Sequence, residues 1–67
     1  MNKLKILREK RHLTQSQLAQ KSGVSQGYIS ELENGKKQNP SAKKLKKLSK
    51  VLGIALADLL DDDSLSA

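Results

Sequence analysis

Cysteine, phenylalanine and tryptophan are absent from this 67-residue chain, and Tyr28 is its single aromatic residue. Without thiols there is no disulfide framework and no thiolate metal site, so the core must be aliphatic, drawn from 12 Leu, 3 Ile and 2 Val. Strand signals are nearly missing. No apolar run approaches the roughly 20 residues that a bilayer span requires. The N-terminal MNKLKILREKRH also lacks the apolar stretch of a secretory signal. Together these absences predict one small all-α domain in the reducing cytosol, and 67 residues exclude a multi-domain enzyme.

Acid is scarce in the first fifty positions. All 13 Lys and Arg lie there with only Glu9, Glu31 and Glu33 against them, whereas residues 51–67 hold Asp58, Asp61, Asp62, Asp63 and no base. A basic body of this kind concentrates polyanions, with nucleic acid the leading partner and an anionic membrane surface the second. Charge alone is equally explained by a solubilising surface. The chemistry of an enzyme is missing: there is one His, no Cys and no strand to carry a nucleophile. The Asp61–Asp63 run lacks the spaced ligands of a cation loop and reads as a solvated tail, so neither metal nor cofactor is expected.

Five helices are predicted. Leu4, Leu7, Arg8 and Arg11 repeat at three and four residues, giving a first helix over residues 2–11. Thr14-x-x-Gln17 is a capping box for a second helix over 15–21, and Gly23 suits the left-handed position past its end. Ser25 caps a third helix over Gln26 to about Asn34, closed by Gly35. Ser41 caps a fourth from Ala42 to Leu52, ended by Gly53, and a short fifth lies around Leu56 to Leu60.

The informative stretch is TQSQLAQKSGVSQGYISELENGK, Thr14 to Lys36. Leu18 and Ala19 on the second helix face Ile29 and Leu32 on the third, with Val24 plugging the elbow, so two short helices cross closely about a tight turn. At about 100° per residue the third helix turns Ile29, Leu32 and Glu33 inward, while Gln26, Gly27, Ser30, Glu31 and Asn34 project outward. An outer face rich in amides and hydroxyls suits the base edges of a major groove, Gln typically pairing with adenine. Gly27 inside a helix costs about 0.5–1 kcal/mol relative to Ala, which close approach to DNA would justify and first-turn tolerance would equally explain.

From Leu4 to Leu60 the chain resembles the phage-repressor and Cro-like (XRE-type) family of helix-turn-helix transcriptional regulators. The resemblance rests on LTQ-x-x-LA, the SGVS turn, YIS-x-LE-x-G and the later NPS with its Leu-rich helix. It implies a five-helix DNA-binding domain over residues 1–61, followed by an acidic, polar tail over 62–67 that frays. It also implies that Gln15 clamps a phosphate, that Gln26 reads a base, and that Arg8 pairs with Glu33. Gly27 departs from the larger polar side chains common at its place. His12 stands where the family often has Gly, which implies a strained left-handed cap, and Ala55 stands where a capping Ser, Thr or Asp is common, which implies a fraying fifth helix.

On this reading the base-facing set is Gln26, Gly27, Ser30, Glu31 and Asn34. The phosphate-facing set is Gln15, Ser25, Tyr28 at the flank of the wheel, Lys36, Lys37, Gln38 and Asn39. Lys37 is expected to hold all sequences alike. The expected partner is a double-stranded operator with inverted-repeat symmetry, bound by a homodimer through Ile54, Leu56 and Leu60 and acting as a repressor in the cytoplasm, at the nucleoid when DNA-bound. A regulatory partner protein fits a chain of this size, and an antitoxin or a restriction-modification controller would share the same core. The rival class is a membrane-surface or protein-interaction module, because SAKKLKKLSKVLGIALADLL is cationic and amphipathic. Its apolar stripe, Leu45, Leu48, Val51 and Leu52, is however needed for the core, which argues against a membrane partner.

Overall fold

The computed structural model describes residues 2–37 and 39–60, and five helices account for most of them: α1 (Asn2–Lys10), α2 (Gln15–Ser22), α3 (Gln26–Glu33), α4 (Ala42–Leu52) and α5 (Leu56–Leu60). No strand occurs among the described residues. Gln38 and the expected acidic tail lie outside them.

Helix starts follow the hydroxyl caps. Thr14 Oγ1 accepts from the Gln17 N–H at 3.0 Å while the Thr14 N–H donates to Gln17 Oε1 at 2.8 Å, so both halves of the capping box are made. Ser25 and Ser41 each accept from the N–H three residues on, at 3.2 and 3.3 Å. Gly53 ends α4 at φ 71°, with the Arg11 guanidinium in the space that a side chain there would take.

Three boundaries move by a residue or more from expectation. α1 stops at Lys10 because the Arg11 and His12 N–H groups turn back onto Arg8 and Glu9 and His12 swings to φ 58°. α2 runs through Ser22, and α3 ends at Glu33 with Asn34 as its cap. The turn at His12 is tied down twice: the Leu13 N–H donates to the Arg8 carbonyl at 3.2 Å, and Arg8 Nη1 donates to the Leu13 carbonyl at 2.7 Å. A non-glycine residue in the left-handed region costs roughly 1–2 kcal/mol. His12→Gly is therefore expected to raise stability by about 1 kcal/mol, read as a higher urea midpoint at unchanged m. A lower midpoint would show that the imidazole makes a compensating contact.

At the start of α5 a side chain inside the helix takes up one backbone group. Ala55 brings no cap of its own, but Asp58 Oδ2 accepts from the Ala55 N–H at 3.3 Å, the reaching-back half of a capping box without its hydroxyl partner. Leu59 then anchors the helix with no exposed surface.

Leu4, Leu18, Val24, Tyr28, Ile29, Leu32, Leu45, Leu48, Leu52 and Leu59 form one core. α2 packs on both α3 and α4, α1 on α3, and α4 on α5, which leaves the outer side of α3 uncovered. The α4 stripe is occupied in that core: Leu45, Leu48 and Leu52 are buried, Val51 is half-buried, and Lys43, Lys46, Lys47 and Lys50 are exposed. No helix of the described residues is long and apolar enough to cross a membrane. The expected dimer patch also shrinks. Ile54 and Leu56 are half-buried against the core, and Leu60, 39% exposed, is the one member left open. Ile6 on α1, at 49%, is the other exposed large apolar side chain among the described residues.

Candidate nucleic-acid interface

The corner between α2 and α3 is built from three residues. Gly23 takes φ 76° and returns its N–H to the Ala19 carbonyl at 2.9 Å, a backbone conformation open to glycine at little cost. The Val24 N–H donates to Ser22 Oγ at 3.2 Å and the Val24 side chain is buried, so the chain enters Ser25 already aimed along α3. Leu18 against Ile29 and Leu32 completes the crossing within the core.

A charged pair locks this corner to α1. Arg8 Nε lies 2.7 Å from Glu33 Oε2 and Arg8 Nη2 donates to Glu33 Oε1 at 3.1 Å, a two-pronged contact between side chains only 11% and 3% exposed. Gln15 Nε2 donates to the same Oε1 at 3.0 Å. Burial by itself pushes the Glu33 carboxyl up, but the hydrogen bonds from Arg8 and Gln15 and the charges of Arg8 and Lys5 outweigh it and hold the group below its ordinary value. The Arg8 guanidinium is raised by its hydrogen bond to Glu33. α1, the start of α2 and the end of α3 are thus joined through one carboxylate.

Along α3 the two faces separate as its periodicity demands. Gln26, Gly27 and Glu31 are exposed, Ser30 is half-buried, and exposed Asn34 donates through Nδ2 to Ser30 Oγ at 3.4 Å. Gly27 has helical φ and open space where a Cβ would stand, so nothing within the chain calls for glycine there. Ser25 is exposed, but its hydroxyl oxygen already accepts the cap bond from the Tyr28 N–H.

Tyr28 is the largest departure from the sequence reading. The flank position suggested a strand contact, whereas the ring is buried and its hydroxyl accepts from the Ser41 N–H at 2.6 Å, pinning the start of α4 to the first turn of α3. Gln15, assigned to a phosphate, is drawn inward onto Glu33. The helical wheel sees one helix at a time, and both shifts are imposed by a second element. Lys44 was missed. Its ammonium stands 4.3 Å from the centre of the Tyr28 ring and that of Lys37 at 4.8 Å, so two cations gather at the flank of α3. The cap at Ser41 was the available signal, since it sets Lys44 in the first turn of α4. Lys37 also meets Glu31 at 3.5 Å, while Lys36 and Asn39 are exposed.

A tight corner between two crossed helices, the second showing a polar outer face beside clustered lysines, defines a helix-turn-helix domain of the DNA-binding class. The helix-turn-helix family model matches residues 4–59, and the chain belongs to that family in its XRE-type branch.

Among curated relatives it is 47% identical over 57 residues to the HTH-type transcriptional repressor RghR of Bacillus subtilis, covering 85% of this chain and 42% of RghR. Over 62 residues it is 45% identical to the control protein C.MunI of a Mycoplasma species, covering 91% of this chain and 82% of that one. The N-terminal DNA binding domain of SinR from Bacillus subtilis superposes with a TM-score of 0.87 at 35% identity, over 92% of this chain and 90% of that domain. In the SinR protein/SinI protein complex the TM-score is 0.89 at 33% identity, over 98% of this chain and 64% of the solved one. The chain spans 41%, 42% and 54% of the length of the Bacillus subtilis regulators SlrR, RghR and SinR.

Proposed function

We propose that this chain is the sequence-specific double-stranded DNA-binding module of a transcriptional repressor, with α3 seated in the major groove. The observation that carries the reading is the outer face of α3. Gln26, Ser30, Glu31 and Asn34 present amide, hydroxyl and carboxylate groups, free of large apolar side chains, from a corner that Arg8–Glu33 and Tyr28–Ser41 hold rigid. Base edges are read by such groups, and the lysines beside them suit phosphates. The repressor RghR and the DNA-binding domain of SinR, similar along most of this chain, support the same reading. Action on DNA in the cytoplasm follows from it. Control by a partner protein is supported by the SinR protein/SinI protein complex for that regulator.

Selection of bound sequences from a pool of random duplexes tests the proposal. An inverted repeat is expected, with half-sites about one helical turn, roughly 34 Å, apart. Failure to enrich any sequence would overturn it.

Two-fold symmetry requires a dimer, and one small module of roughly 600–1,000 Å² is too little contact for a unique site. Exposed Leu60 is the remaining open position of the C-terminal patch. Leu60→Asp is expected to weaken binding to the full operator at least tenfold, while leaving an isolated half-site unchanged. Equal binding of both duplexes by the variant and the parent, at one chain per operator, would rule out this dimer.

A further inference from the structure

We propose that Glu31 and Lys37 are an exchangeable pair that makes one phosphate contact conditional on one base, so that Glu31 selects against wrong sequences as well as for the right one. This deepens the major-groove reading and rests on it.

Glu31 is the only carboxylate on the outer face of α3, because Glu33 is turned inward onto Arg8. Its Oε1 lies 3.5 Å from Lys37 Nζ, with the two side chains 49% and 33% exposed. The same ammonium stands 4.8 Å from the centre of the Tyr28 ring, and that ring is fixed by the bond from the Ser41 N–H to its hydroxyl. Lys37 is thus placed against both Glu31 and the ring, in the segment that leads from α3 to α4. Neighbouring Lys36 is exposed and has no ion pair among the described residues.

In a major groove a carboxylate has one good base partner, the N4 amino group of cytosine. Acceptor edges and phosphates repel it. Lys37 has two anionic partners in reach, Glu31 or the strand. Facing cytosine, Glu31 accepts from N4 and Lys37 is released to a phosphate. Facing any other base, Glu31 retains Lys37, and the complex forgoes a base contact and a phosphate contact together. Exposed ion pairs are weak, so the exchange is easy and its effect is several-fold. The expectation that Lys37 holds all sequences alike is thereby replaced by a sequence-dependent one.

The test is a binding titration over a range of salt with the full chain, on the selected operator and on a random duplex. Parent, Glu31→Gln, Lys37→Gln and the double variant are compared, with Lys36→Gln as control. Glu31 is exposed and Lys37 half-buried, and helicity by circular dichroism checks the fold of each variant. On the operator Lys37→Gln should flatten the salt slope by about one. On random DNA it should leave the slope unchanged. Glu31→Gln should tighten random DNA several-fold, steepen its slope by about one, and expose that duplex to the Lys37→Gln loss. It should also move preference at a single base pair from cytosine toward adenine. Lys36→Gln should flatten both duplexes alike. Equal flattening of both duplexes by Lys37→Gln in the parent, or an unchanged random-duplex slope in Glu31→Gln, would overturn the proposal and leave the major-groove reading intact. A selection that yields no preferred sequence would overturn both.

Discussion

Replacing Glu33 by alanine is expected to lower the unfolding free energy by about 3–5 kcal/mol, the range for removing one partner of a buried ion pair. Glu9→Ala, on the exposed side of α1, should stay within about 0.5 kcal/mol of the parent. The difference lies in what is left behind. Without Glu33, the Arg8 guanidinium, almost closed to water, keeps its bond to the Leu13 carbonyl but loses its anion, and half-buried Gln15 loses the acceptor of its Nε2. Urea midpoints of the two variants compare the effects directly, and equal midpoints would contradict the assignment.

The same carboxylate makes stability depend on pH. Its value is lowered in the folded chain, so its contribution is fully present above the ordinary glutamate value and is lost as pH falls toward the lowered folded one. Midpoints measured downward through the carboxylate range should therefore fall in the parent. Glu33→Gln, neutral throughout, should show a shallower decline.

Gln26→Ala carries the second large effect. Gln26 is exposed at the first position of α3, directly after the Ser25 cap, the end of a recognition helix that penetrates a groove furthest. A bidentate amide contact is worth about 1–3 kcal/mol of discrimination, so the variant should weaken binding to the selected operator by about that amount. Preference should flatten at one base pair, and affinity for random duplex should hold. Lys36→Ala should do the opposite, weakening both duplexes alike and flattening the salt slope by about one. If Gln26→Ala weakened random DNA as much as the operator, Gln26 would be a backbone contact and not a reader.

What the chain reveals before it is folded is mostly local. Thr14, Ser25 and Ser41 mark helix starts because a hydroxyl answering an N–H three residues on is a contact within one turn, and Gly23 and Gly53 mark ends for the same local reason. The division of α3 into Ile29, Leu32 and Glu33 against Gln26, Ser30 and Glu31 is equally a matter of one helix and its period. The contacts of Tyr28 and Gln15 within the fold are not legible in the sequence, because their partners, the Ser41 N–H and Glu33, stand 13 and 18 residues away, where periodicity carries no information. The half-cap at α5 escapes the sequence for a nearer reason: the Ala55 N–H donates to Asp58 Oδ2 three residues on, a bond that needs no side chain at Ala55.

Methylation interference on the selected operator distinguishes α3 in the major groove from any other seating. Methyl groups at guanine N7 lie in the major groove and those at adenine N3 in the minor groove. With α3 in the major groove, guanine N7 methylation within each half-site blocks binding, while adenine N3 methylation within the same half-sites is tolerated. Interference from N3 methylation alone, with N7 methylation tolerated throughout both half-sites, would contradict it.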